Sequence, residues 1–567
     1  MKVVIIGGVA GGATAAARLR RLNEQAKIVL FERGDYISYA NCGLPYYIGG
    51  EITEKKALTL QTPESFKSRF RVDVRVRQEV VAIKPEEKRV TVKNLTSGML
   101  YDEPYDKLIL SPGAEPSVPD LPGARDPRVF TLRNIPDTYA IRRYIDEKKP
   151  ERAVIIGGGY IGVEMAENLA AAGLRVTIVQ RSDHLIAPLD YDMACDVHNY
   201  LRKKGVRLVF GETPQAFQPK DNGRLEVLLK KQSLEADLVL LSVGVKPESA
   251  LARAAGLKLN AKGGIITDSH MLTSDPDIYA VGDAVEVRHF VTGQPAMIAL
   301  AGPANKQGRV AADNICGISS VFKGSQGSSV LKIFDLTVAT TGLNEKSAQA
   351  AGLEYGKAYT WSASHASYYP GASNISLKAL YEKGTGRILG AQAIGFDGVD
   401  KRVDVLATAI RAGMTAGDLT DLDLCYAPPY SSAKDPVNML GYVIENLLTG
   451  KVEQFYWQDL EFLSTDPRTQ FIDVRSESEY AAGHLEEAIN IPLPQLRLSL
   501  VKLDAAKKIR VICQSALRSY IACRILTQKG FDCAHLAGGW RLYASVMKDQ
   551  LSAGQATGDC GGPLPKN

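Results

Sequence analysis

The sequence is poor in cysteine and has no cysteine pair at the spacing of a metal ribbon or a disulfide framework. Eight cysteines are scattered over 567 residues, and none falls in a CxxC pair. Their scarcity argues against a disulfide-stapled scaffold and a zinc site, so we expect no bound metal. The opening residues already form a strand pattern with no signal peptide before it, and we expect a cytoplasmic protein.

The sequence also lacks an excess of either charge and lacks long apolar runs. Lys plus Arg number 68 and Asp plus Glu 63, and the surplus is spread along the chain, which argues against a nucleic-acid partner. No run approaches the roughly 18 apolar residues that a membrane span needs, so we expect no membrane partner either. The length, in contrast, predicts three or four domains with apolar cores.

Two segments repeat one design. Residues 2–34 and 152–184 each run from an apolar strand through a glycine turn and an Ala-rich helix to a second apolar strand. In such a unit the glycines lie where a dinucleotide pyrophosphate meets a helix N-terminus, so two copies predict two dinucleotides. The candidate cofactor-binding glycines are Gly7, Gly8, Gly11 and Gly12 in the first copy and Gly157, Gly159 and Gly162 in the second.

The residue that ends the second strand of each copy bears on the identity of the nucleotide. Glu32, followed by Arg33, offers a carboxylate that accepts hydrogen bonds from both ribose hydroxyls. The second copy has Gln180 there, which is neutral and does not repel a 2′-phosphate, and the adjacent Arg181 attracts one. NADH and NADPH both stay open.

Two further stretches extend the first nucleotide site. Residues 105–116 run from a strand into a Gly/Pro turn that contains Gly113, and residues 274–286 place Asp283 between a strand and a helix-like run. An acid at that position suits a polyol such as the ribityl chain of a flavin. Asp283 alone would be interpreted as an ordinary N-cap, but the combination favours FAD.

Three motifs carry a resemblance to known families. YANCGLPYY (39–47), with the two glycine turns, resembles the single-cysteine branch of the FAD-dependent pyridine nucleotide-disulfide oxidoreductases, which includes coenzyme A disulfide reductases, NADH oxidases and NADH peroxidases. DVR (473–475), GHLEEAINIP (483–492) and CQSALRS (513–519) resemble a rhodanese domain. The combination resembles fusions of coenzyme A disulfide reductase with rhodanese, some of which are coenzyme A persulfide or polysulfide reductases.

The resemblance implies an α/β fold with two Rossmann-like dinucleotide-binding domains in a glutathione-reductase-like arrangement, an α+β dimerisation domain and a C-terminal α/β rhodanese domain. The expected boundaries are 1–148 and 264–325 for a discontinuous FAD-binding domain, 149–263 for the NAD(P)H-binding domain, 326–445 for dimerisation, 446–458 for a linker, 459–550 for rhodanese and 551–567 for a mobile tail.

Cys42 is the candidate redox centre. A single cysteine is more often a structural residue, but the resemblance places this one beside the flavin. A reactive thiolate needs a site that lowers its pKa, and without a partner cysteine it forms a mixed disulfide, a persulfide or a sulfenic acid. The oxidase and peroxidase relatives have a histidine in the first glycine turn, where this chain has Ala10.

The resemblance also implies a coenzyme A site. Thr14, Arg18 and Arg21 fall where the coenzyme A reductases bind phosphates, although a solvated helix face is the plain alternative. Ser38 and Asn41 resemble polar residues that line the thiol pocket.

Two tyrosines and a lysine in the dimerisation domain imply a homodimer with shared active sites. Tyr368, chosen over Tyr369, and Tyr426 resemble tyrosines that reach the active site of the partner, where a phenol protonates a departing thiolate. Core packing is the alternative. Lys434 resembles a residue that reaches the coenzyme A phosphates.

Cys513 is the candidate sulfur carrier of the rhodanese domain. It opens a six-residue loop that ends at Arg518, and backbone N–H groups at the following helix N-terminus stabilise a thiolate or persulfide anion. Arg518 adds positive charge or pairs with an acid such as Asp473. The remaining cysteines are interpreted as structural, or for the last as idle or a relay thiol: Cys195, Cys316, Cys425, Cys523, Cys533 and Cys560.

These residues predict an NAD(P)H:coenzyme A persulfide or polysulfide reductase that uses FAD, releases sulfide at Cys42 and receives sulfane sulfur from Cys513. A coenzyme A disulfide reductase that maintains a thiol pool is the alternative, followed by an NADH oxidase and a sulfur-carrier protein. Sulfur could pass between the cysteines by a swinging domain, a pantetheine arm or diffusion. Coenzyme A is either a substrate or a permanent arm.

Overall fold

Both glycine fingerprints fold into a strand, a tight turn and a helix, as predicted. Gly7 has φ +95°, and a Cβ on it would lie 2.1 Å from the carbonyl oxygen of Ser111. Gly157, at the matching place in the second copy, has φ +107°, and its Cβ would lie 2.2 Å from the carbonyl oxygen of Ser242. Glycine is therefore required in both turns, for its backbone freedom and for space.

The computed structural model describes residues 1–554, which form two compact units. The first unit contains residues 1–182 and 205–327, and the second contains residues 183–204 and 328–554. Among the described residues no helix is both long and apolar enough to cross a membrane.

The elements of the first unit are these, with one helix of the second unit between them in the chain. In residues 1–182 they are β1 (Lys2–Ile6), α1 (Ala10–Leu22), β2 (Lys27–Glu32), α2 (Leu44–Gly49), α3 (Pro63–Phe70), β3 (Asp73–Val76), β4 (Gln78–Lys84), β5 (Arg89–Asn94), β6 (Leu100–Pro104), β7 (Lys107–Leu110), β8 (Ala114–Pro116), β9 (Val129–Phe130), α4 (Ile135–Lys148), β10 (Arg152–Ile156), α5 (Tyr160–Ala171) and β11 (Arg175–Gln180). The intervening helix is α6 (Tyr191–Lys203). In residues 205–327 they are β12 (Arg207–Phe210), β13 (Pro214–Pro219), β14 (Leu225–Leu229), β15 (Ser233–Ala236), β16 (Leu238–Leu241), β17 (Val245–Pro247), α7 (Ala250–Ala254), β18 (Ile278–Ala280), β19 (Val287–Arg288), β20 (Pro295–Ala296) and α8 (Ala301–Ile315).

The rest of the second unit continues the numbering. Its elements are β21 (Ser329–Ile333), β22 (Leu336–Gly342), α9 (Glu345–Ala350), β23 (Tyr355–Ala363), β24 (Asn374–Glu382), β25 (Ile388–Gly395), α10 (Val399–Ala412), α11 (Ala416–Asp421), α12 (Pro436–Leu448), β26 (Glu453–Phe455), α13 (Leu460–Thr465), β27 (Thr469–Asp473), α14 (Glu477–Ala481), β28 (Ala488–Asn490), β29 (Lys508–Ile512), α15 (Leu517–Thr527), β30 (Cys533–Leu536) and α16 (Gly539–Gly554).

The first unit is built on two parallel five-stranded sheets, one for each glycine fingerprint. Their strand orders are β18-β7-β1-β2-β3 and β12-β11-β10-β16-β9. In β1 and β10 the four residues before the glycine turn are all buried, as expected for strands covered on both faces. Helices α1 and α8 pack on the first sheet through Leu19, Ala15 and Ala311. The carboxyl ends of β1 and β10 thus point toward the two nucleotide turns.

The second unit contains an antiparallel sheet and a smaller parallel sheet. The antiparallel order is β21-β22-β25-β24-β23, and β25 is buried along its whole length beneath α10. The parallel order is β26-β30-β29-β27-β28. The two dinucleotide-type sheets, the antiparallel domain and the small parallel domain confirm the predicted fold class.

The structure adds detail at both predicted boundaries of the small parallel domain. The segment predicted as a linker, 446–458, contains the end of α12 and the strand β26, which joins the parallel sheet at its edge. The predicted mobile tail begins at 551, but α16 continues to Gly554 because its Asp549 is anchored on α6. The rest of the tail, including Cys560, lies outside the described residues.

Candidate functional site

The two glycine turns form open backbone cradles at helix N-termini. A Cβ on Gly12 would lie 1.9 Å from the carbonyl oxygen of Gly7, and a Cβ on Gly162 would lie 2.0 Å from that of Gly157. These contacts bring each helix close to its strand. Nothing lies within 4 Å of a Cβ on Gly159, so the second turn has space for a phosphate to approach its backbone.

The acid and the amide at the two strand ends occupy equivalent positions. Glu32 Oε2 accepts a hydrogen bond from the N–H of Gly8 (3.0 Å), and Oε1 accepts one from the N–H of Gly34 (2.8 Å). Gln180 Oε1 accepts one from the N–H of Gly158 (3.0 Å). The predicted site residues are thus held at the turns, with Gly8 and Gly11 in the first. This arrangement fits FAD in the first copy and a nicotinamide nucleotide in the second.

Arg33 and Arg181 both lie on the surface of the first unit. The Arg33 guanidinium makes an ion pair with Glu248 (2.7 Å) and is more than half exposed. Arg181 is exposed beside Gln180. The choice between NADH and NADPH therefore rests on a neutral amide and a surface arginine.

Asp283 lies with Arg133 and Gly113 at the carboxyl edge of the first sheet. Asp283 Oδ2 is 3.3 Å from Arg133 Nη2, and the carboxyl group is partly exposed. Gly113 has φ +76°, and a Cβ there would lie 3.0 Å from the same guanidinium. A partly exposed acid on the sheet that carries Glu32 fits a bound polyol.

Cys42 lies on the solvent-exposed side of a single 3-10 turn, Asn41–Gly43, that leads directly into α2. Partial burial raises the pKa of the Cys42 thiol, and the nearby carboxyl groups of Glu164 and Asp283 raise it further. The sequence predicts a site that lowers this pKa, and in this respect the prediction is wrong. The negative charge of the two carboxyl groups disfavours the thiolate.

Glu164 and Tyr46 are functional candidates that the sequence motifs do not single out. Helix α2 packs against α5, which brings Glu164 to Tyr46 and to the surroundings of Cys42. Burial and the neighbouring Glu167 raise the pKa of Glu164 to about 7, and a hydrogen bond with Tyr46 opposes this. Glu164 therefore holds or releases a proton near neutral pH. Its position in the second glycine motif, two residues after Gly162, is the only sequence feature that could have suggested it.

Ser38 and Asn41 both precede Cys42, and Asn41 begins the same 3-10 turn; their predicted place in the thiol pocket stays a prediction. Ser38 adopts φ +47°, and its N–H donates to the carbonyl oxygen of Gly8, so the thiol turn is tied to the first nucleotide turn. Asn41 Oδ1 is buried and has no hydrogen-bond partner within residues 1–554. An unpartnered amide oxygen beside the thiol suits a donor group of a substrate.

The predicted coenzyme A residues of α1 do not form one free phosphate site. Arg18 Nε donates to Asp313 Oδ1 (2.7 Å), and the Thr14 hydroxyl donates to Asn305 Oδ1 (2.7 Å). Arg21 is exposed at the end of the helix. Since Arg18 is already paired, phosphate binding there would have to compete with Asp313.

Tyr368 and Tyr426 are brought together within the second unit. Their hydroxyl oxygens lie 2.9 Å apart, and their side chains are 74% and 48% exposed. The hydrogen bond raises the pKa of Tyr368. Tyr369 instead packs edge-on against His365. A pair of exposed, hydrogen-bonded phenols is unusual for core packing, which was the alternative interpretation.

Arg402 is a buried residue that holds the tyrosine loops, and sequence reasoning did not identify it. Its guanidinium donates to Asp435 Oδ2 (2.8 Å), to Ser431 Oγ (3.1 Å) and to the carbonyl oxygen of Ser364 (2.8 Å). Asp435 in turn caps α12, directly after the exposed Lys434. One arginine thus fixes the segments that lead to Tyr368, Tyr426 and Lys434.

Cys513 is buried at the end of β29, beneath a loop that continues into α15. Ala516 in this loop adopts φ +70°, and the N–H of Trp540 donates to the carbonyl oxygen of Cys513 (2.8 Å). A Cβ on Gly539 would lie 2.7 Å from that oxygen. The loop is therefore held against the start of α16.

Arg518 pairs with Glu479 and does not pair with Asp473, which corrects the predicted partner. Two nitrogens of Arg518 each donate to one oxygen of Glu479, both at 2.7 Å. Asp473 is fully buried and accepts hydrogen bonds from Arg475, whose closest nitrogen is 2.6 Å away. Arg475 lies two residues from Asp473 on the same chain segment, and its guanidinium already makes the ion pair with Asp473.

The other described cysteines form no disulfide and differ in exposure. Cys195, Cys523 and Cys533 are buried, Cys316 is partly buried and Cys425 is exposed. They stay interpreted as structural.

Two clusters of acids, histidine and cysteine have a metal-like arrangement, but their groups are already engaged. In the first cluster His198 bonds to Asp549 through Nδ1 (3.1 Å) and accepts from the N–H of Leu185 through Nε2 (3.1 Å). In the second, Lys378 occupies the space between the carboxyl groups of Asp190 and Asp192. Hydrogen bonds and ion pairs within the chain therefore account for both clusters.

Comparisons with known proteins match three successive segments of the chain to known families. Residues 1–308 match the pyridine nucleotide-disulphide oxidoreductases, 328–436 match the dimerisation domain of that family, and 457–545 match the rhodanese-like domain. The coenzyme A disulfide reductase of Staphylococcus aureus (strain JH9) is 38% identical over 443 residues, which are 78% of this chain and 99% of that protein.

Two solved structures are similar over nearly the whole chain. The crystal structure of reduced Bacillus anthracis CoADR-RHD is 49% identical, with 97% of this chain and 98% of that chain covered and a TM-score of 0.94. A NAD-dependent persulfide reductase from A. fulgidus is 38% identical, with 96% and 100% covered and a TM-score of 0.90. The chain therefore belongs to the pyridine nucleotide-disulphide oxidoreductases, as an FAD- and NAD(P)H-dependent enzyme with a dimerisation domain and a C-terminal rhodanese-like domain.

Proposed function

We propose that this enzyme reduces coenzyme A persulfide, formed from polysulfide, with electrons from NAD(P)H and releases sulfide at Cys42. The observation that supports it most is that one chain has two thiols in different settings. Cys42 is solvent-exposed in the dinucleotide-binding unit, whereas Cys513 is buried at the start of the loop that leads into α15. The names of its relatives, a coenzyme A disulfide reductase and a persulfide reductase, point to the same sulfur chemistry.

The chemistry at Cys42 is an exchange at a sulfur–sulfur bond. The Cys42 thiolate attacks the sulfur that is attached to coenzyme A, the bond to the outer sulfur breaks, and hydrosulfide leaves with the electron pair. Cys42 and coenzyme A are then joined in a mixed disulfide. FAD held at the first glycine turn and Glu32 would supply the two electrons, taken from NAD(P)H, that return both sulfurs to thiols. The two sulfurs of the mixed disulfide need protons to become thiols, and Tyr46 and Glu164 hold protons beside Cys42.

We infer that the tyrosine pair serves the active site of a partner subunit. The matched dimerisation domain supports a homodimer, and the exposed phenols of Tyr368 and Tyr426 are available for a second chain. A phenol that already accepts or donates one hydrogen bond in the pair can donate a proton to a departing thiolate. Lys434, exposed near the same loops, would meet a phosphate of coenzyme A.

We infer that Cys513 receives sulfane sulfur and passes it to coenzyme A for use at Cys42. Fusion of the two domains raises the effective concentration of a reactive persulfide near its consumer. Within the second unit, α16 is fixed on α6 by Arg541 with Asp196 (2.8 Å) and Asn199 with Ser545 (2.9 Å). These contacts hold α16 in place within the second unit.

A coenzyme A disulfide reductase that maintains a thiol pool is the second candidate. The full burial of Cys513 favours it, because a buried thiol is less accessible to a sulfur donor. An NADH oxidase is less favoured, since Ala10 supplies no base to the first glycine turn.

Turnover with competing acceptors tests the proposal. NADH consumption and sulfide release would be measured with coenzyme A persulfide, coenzyme A disulfide and oxygen, with Cys42→Ser alongside. We expect persulfide to react fastest, with one sulfide per NADH, and Cys42→Ser to be inactive. Faster reduction of coenzyme A disulfide than of persulfide would instead identify the thiol-pool reductase.

A further inference from the structure

A chain of hydrogen bonds leads from Cys513 into the core of the rhodanese-like domain. Cys513 Sγ lies 3.2 Å from Ser519 Oγ, and Ser519 Oγ lies 3.4 Å from His535 Nδ1. On the other side of the imidazole, His535 Nε2 lies 3.3 Å from the side-chain nitrogen of Gln454. Four side chains from four separate segments are therefore connected in one line that ends at the sulfur.

Three members of this chain are buried, and Gln454 is half-buried. Cys513 and Ser519 have no exposed surface, and His535 is 3% exposed. Polar groups buried in this way are costly unless they are hydrogen-bonded, and each of the four side chains has at least one such bond, although Gln454 Oε1 has no partner within residues 1–554. Gln454 and His535 are also direct register partners on the parallel strands β26 and β30. The segment predicted as a linker therefore supplies one end of the chain.

The direction of the hydrogen bonds follows from the amide. The nitrogen of Gln454 can only donate, so His535 Nε2 accepts and the imidazole proton resides on Nδ1. Nδ1–H then donates to Ser519 Oγ. The Ser519 hydroxyl donates to the carbonyl oxygen of Ala516 (3.0 Å) while the Cys513 thiol donates to Ser519. Once Cys513 loses its proton, that hydroxyl can turn and donate to the sulfur anion.

The imidazole of His535 is neutral at neutral pH. Burial lowers the pKa of His535 to about 4. A neutral donor chain stabilises a sulfur anion without protonating it, whereas an imidazolium would convert a persulfide anion into its less nucleophilic protonated form. Once Cys513 is deprotonated and the Ser519 hydroxyl has turned to it, each bond in the line donates toward the sulfur, so the dipoles add.

We propose that His535 is a positioning residue for sulfur transfer, which acts through Ser519 to aim a hydroxyl hydrogen bond at the sulfur anion on Cys513. Gln454 fixes the tautomer that this requires. The inference rests on the proposed role of Cys513 as a sulfur carrier and adds the groups that stabilise the carried sulfur. These groups are separate from Arg518, which is engaged with Glu479.

The transfer step balances without an oxidant. Cys513 attacks the terminal sulfur of an inorganic polysulfide, a new sulfur–sulfur bond forms at Cys513, and the bond behind the transferred sulfur breaks. The shortened polysulfide leaves with the electron pair and takes the proton that the thiol releases. Cys513 keeps one added sulfur as a persulfide anion, and the Ser519 hydroxyl donates to it.

Loading of Cys513 in the full-length holoenzyme tests the inference. Wild type, Ser519→Ala, His535→Leu, His535→Asn and Gln454→Leu would be treated with inorganic polysulfide and freed of excess reagent. Intact-protein and peptide mass spectrometry would then follow the persulfide on Cys513 over time. His484→Leu, an exposed histidine of the same domain, is the matched control. Circular dichroism and the thermal transition would verify that each variant is folded.

We expect Ser519→Ala and His535→Leu to shorten the persulfide lifetime and slow loading by about tenfold, the effect of one hydrogen bond to a charged group. His535→Asn should restore most of the wild-type behaviour, because asparagine places an N–H near the position of Nδ1. Gln454→Leu should lie between wild type and His535→Leu, and His484→Leu should match wild type.

Two results would separate this inference from the proposed function. Wild type that loads sulfur on Cys513 while folded His535→Leu behaves identically would overturn the role of His535 alone. Wild type that never loads sulfur on Cys513 would overturn the carrier role itself. A defect in His535→Asn as large as that in His535→Leu would show that a side-chain N–H at this position does not restore transfer, which also contradicts the inference.

Discussion

Arg518 and Glu479 are joined by two hydrogen bonds, each 2.7 Å long, beside the loop that begins at Cys513. The hydrogen bonds from Arg518 lower the pKa of Glu479 to about 2. Because a lowered carboxyl pKa preserves the ion pair at every pH above it, the pair stays intact across the neutral range. A two-point contact also fixes the plane of the guanidinium, which a single contact would not.

Removal of the Glu479 charge should therefore weaken sulfur transfer at Cys513. We expect Glu479→Gln to lower the rate of sulfur transfer from thiosulfate to cyanide by about tenfold, as for the loss of one charge-assisted hydrogen bond. Arg518→Lys should be equally impaired, since an ammonium cannot make the two-point contact. Glu477→Gln on the same helix is the control. Wild-type rates in Glu479→Gln would show that the pair has no part in transfer.

The negative charge on Glu164 should lower the reactivity of the Cys42 thiol. Burial, Glu164 and Asp283 together raise the pKa of the Cys42 thiol, so removal of one negative charge lowers that pKa and increases the thiolate fraction. We expect NADH-reduced Glu164→Gln to react faster with iodoacetamide than wild type does. The comparison belongs at mildly alkaline pH, where Glu164 is ionised, since its own pKa is about 7. Peptide mapping would quantify labelled Cys42.

Exposed Glu147→Gln serves as the control for that experiment, because Glu147 lies on the surface of α4 and is not among the groups that shift Cys42. Equal labelling rates in Glu164→Gln and wild type would contradict an electrostatic effect of Glu164 on the thiol.

A shared active site predicts complementation between two inactive variants. In a heterodimer of Cys42→Ser with a Tyr368→Phe/Tyr426→Phe double variant, one site combines an intact Cys42 with intact tyrosines from the other subunit. We expect about half of the wild-type activity in the purified heterodimer, because one of two symmetric sites is restored. Each parent homodimer should be nearly inactive. Tyrosines that act within their own subunit would leave the heterodimer as inactive as its parents.

Lys378 should be a major source of stability in the second unit. It is fully buried between Asp190 (2.8 Å), Asp192 (2.9 Å) and Glu345 (2.5 Å). Although burial opposes its charge, these acids raise the pKa of Lys378 well above its usual range. We expect Lys378→Met to lower the free energy of unfolding by about 3–5 kcal/mol, the cost of stranding buried charges. Guanidinium unfolding monitored by circular dichroism would measure it.

The pH dependence of this contribution has a definite sign. The raised pKa of Lys378 makes its contribution complete below its unfolded pKa of about 10, and the lowered pKa of Asp192 makes its contribution complete above about 4. The difference between wild type and Lys378→Met should thus be constant between these limits and shrink in acid. Exposed Lys346→Met, the control, should change stability by less than about 0.5 kcal/mol. A wild-type stability in Lys378→Met would refute the assignment.

The parts of the fold that were predictable are those that short sequence segments specify. Gly7 and Gly12, five residues apart, determine the first nucleotide turn through backbone geometry, and the same spacing recurs from Gly157 to Gly162. Cys42 could be located because its motif follows the first βαβ unit directly. In each case the partners are close in sequence, so pattern and structure coincide.

The parts that were not predictable depend on distant partners. Arg518 selects Glu479 over Asp473 only because Arg475 already holds Asp473. The pKa of Cys42 depends on Glu164, which lies on α5 and comes near Cys42 because α5 packs against α2. His535 is an ordinary strand residue in the sequence. It reaches Ser519 and Cys513 only because β30 pairs with β29 in the parallel sheet.

The role of Cys513 as a supplier of sulfur to Cys42 is the central claim, and Cys513→Ser tests it most directly. NADH-dependent sulfide release would be measured in this variant and in wild type, with inorganic polysulfide plus coenzyme A in one series and with preformed coenzyme A persulfide in the other. We expect a large loss with polysulfide and near wild-type rates with preformed persulfide. Equal rates in both series, or an equal loss in both, would contradict delivery of sulfur from Cys513 to Cys42.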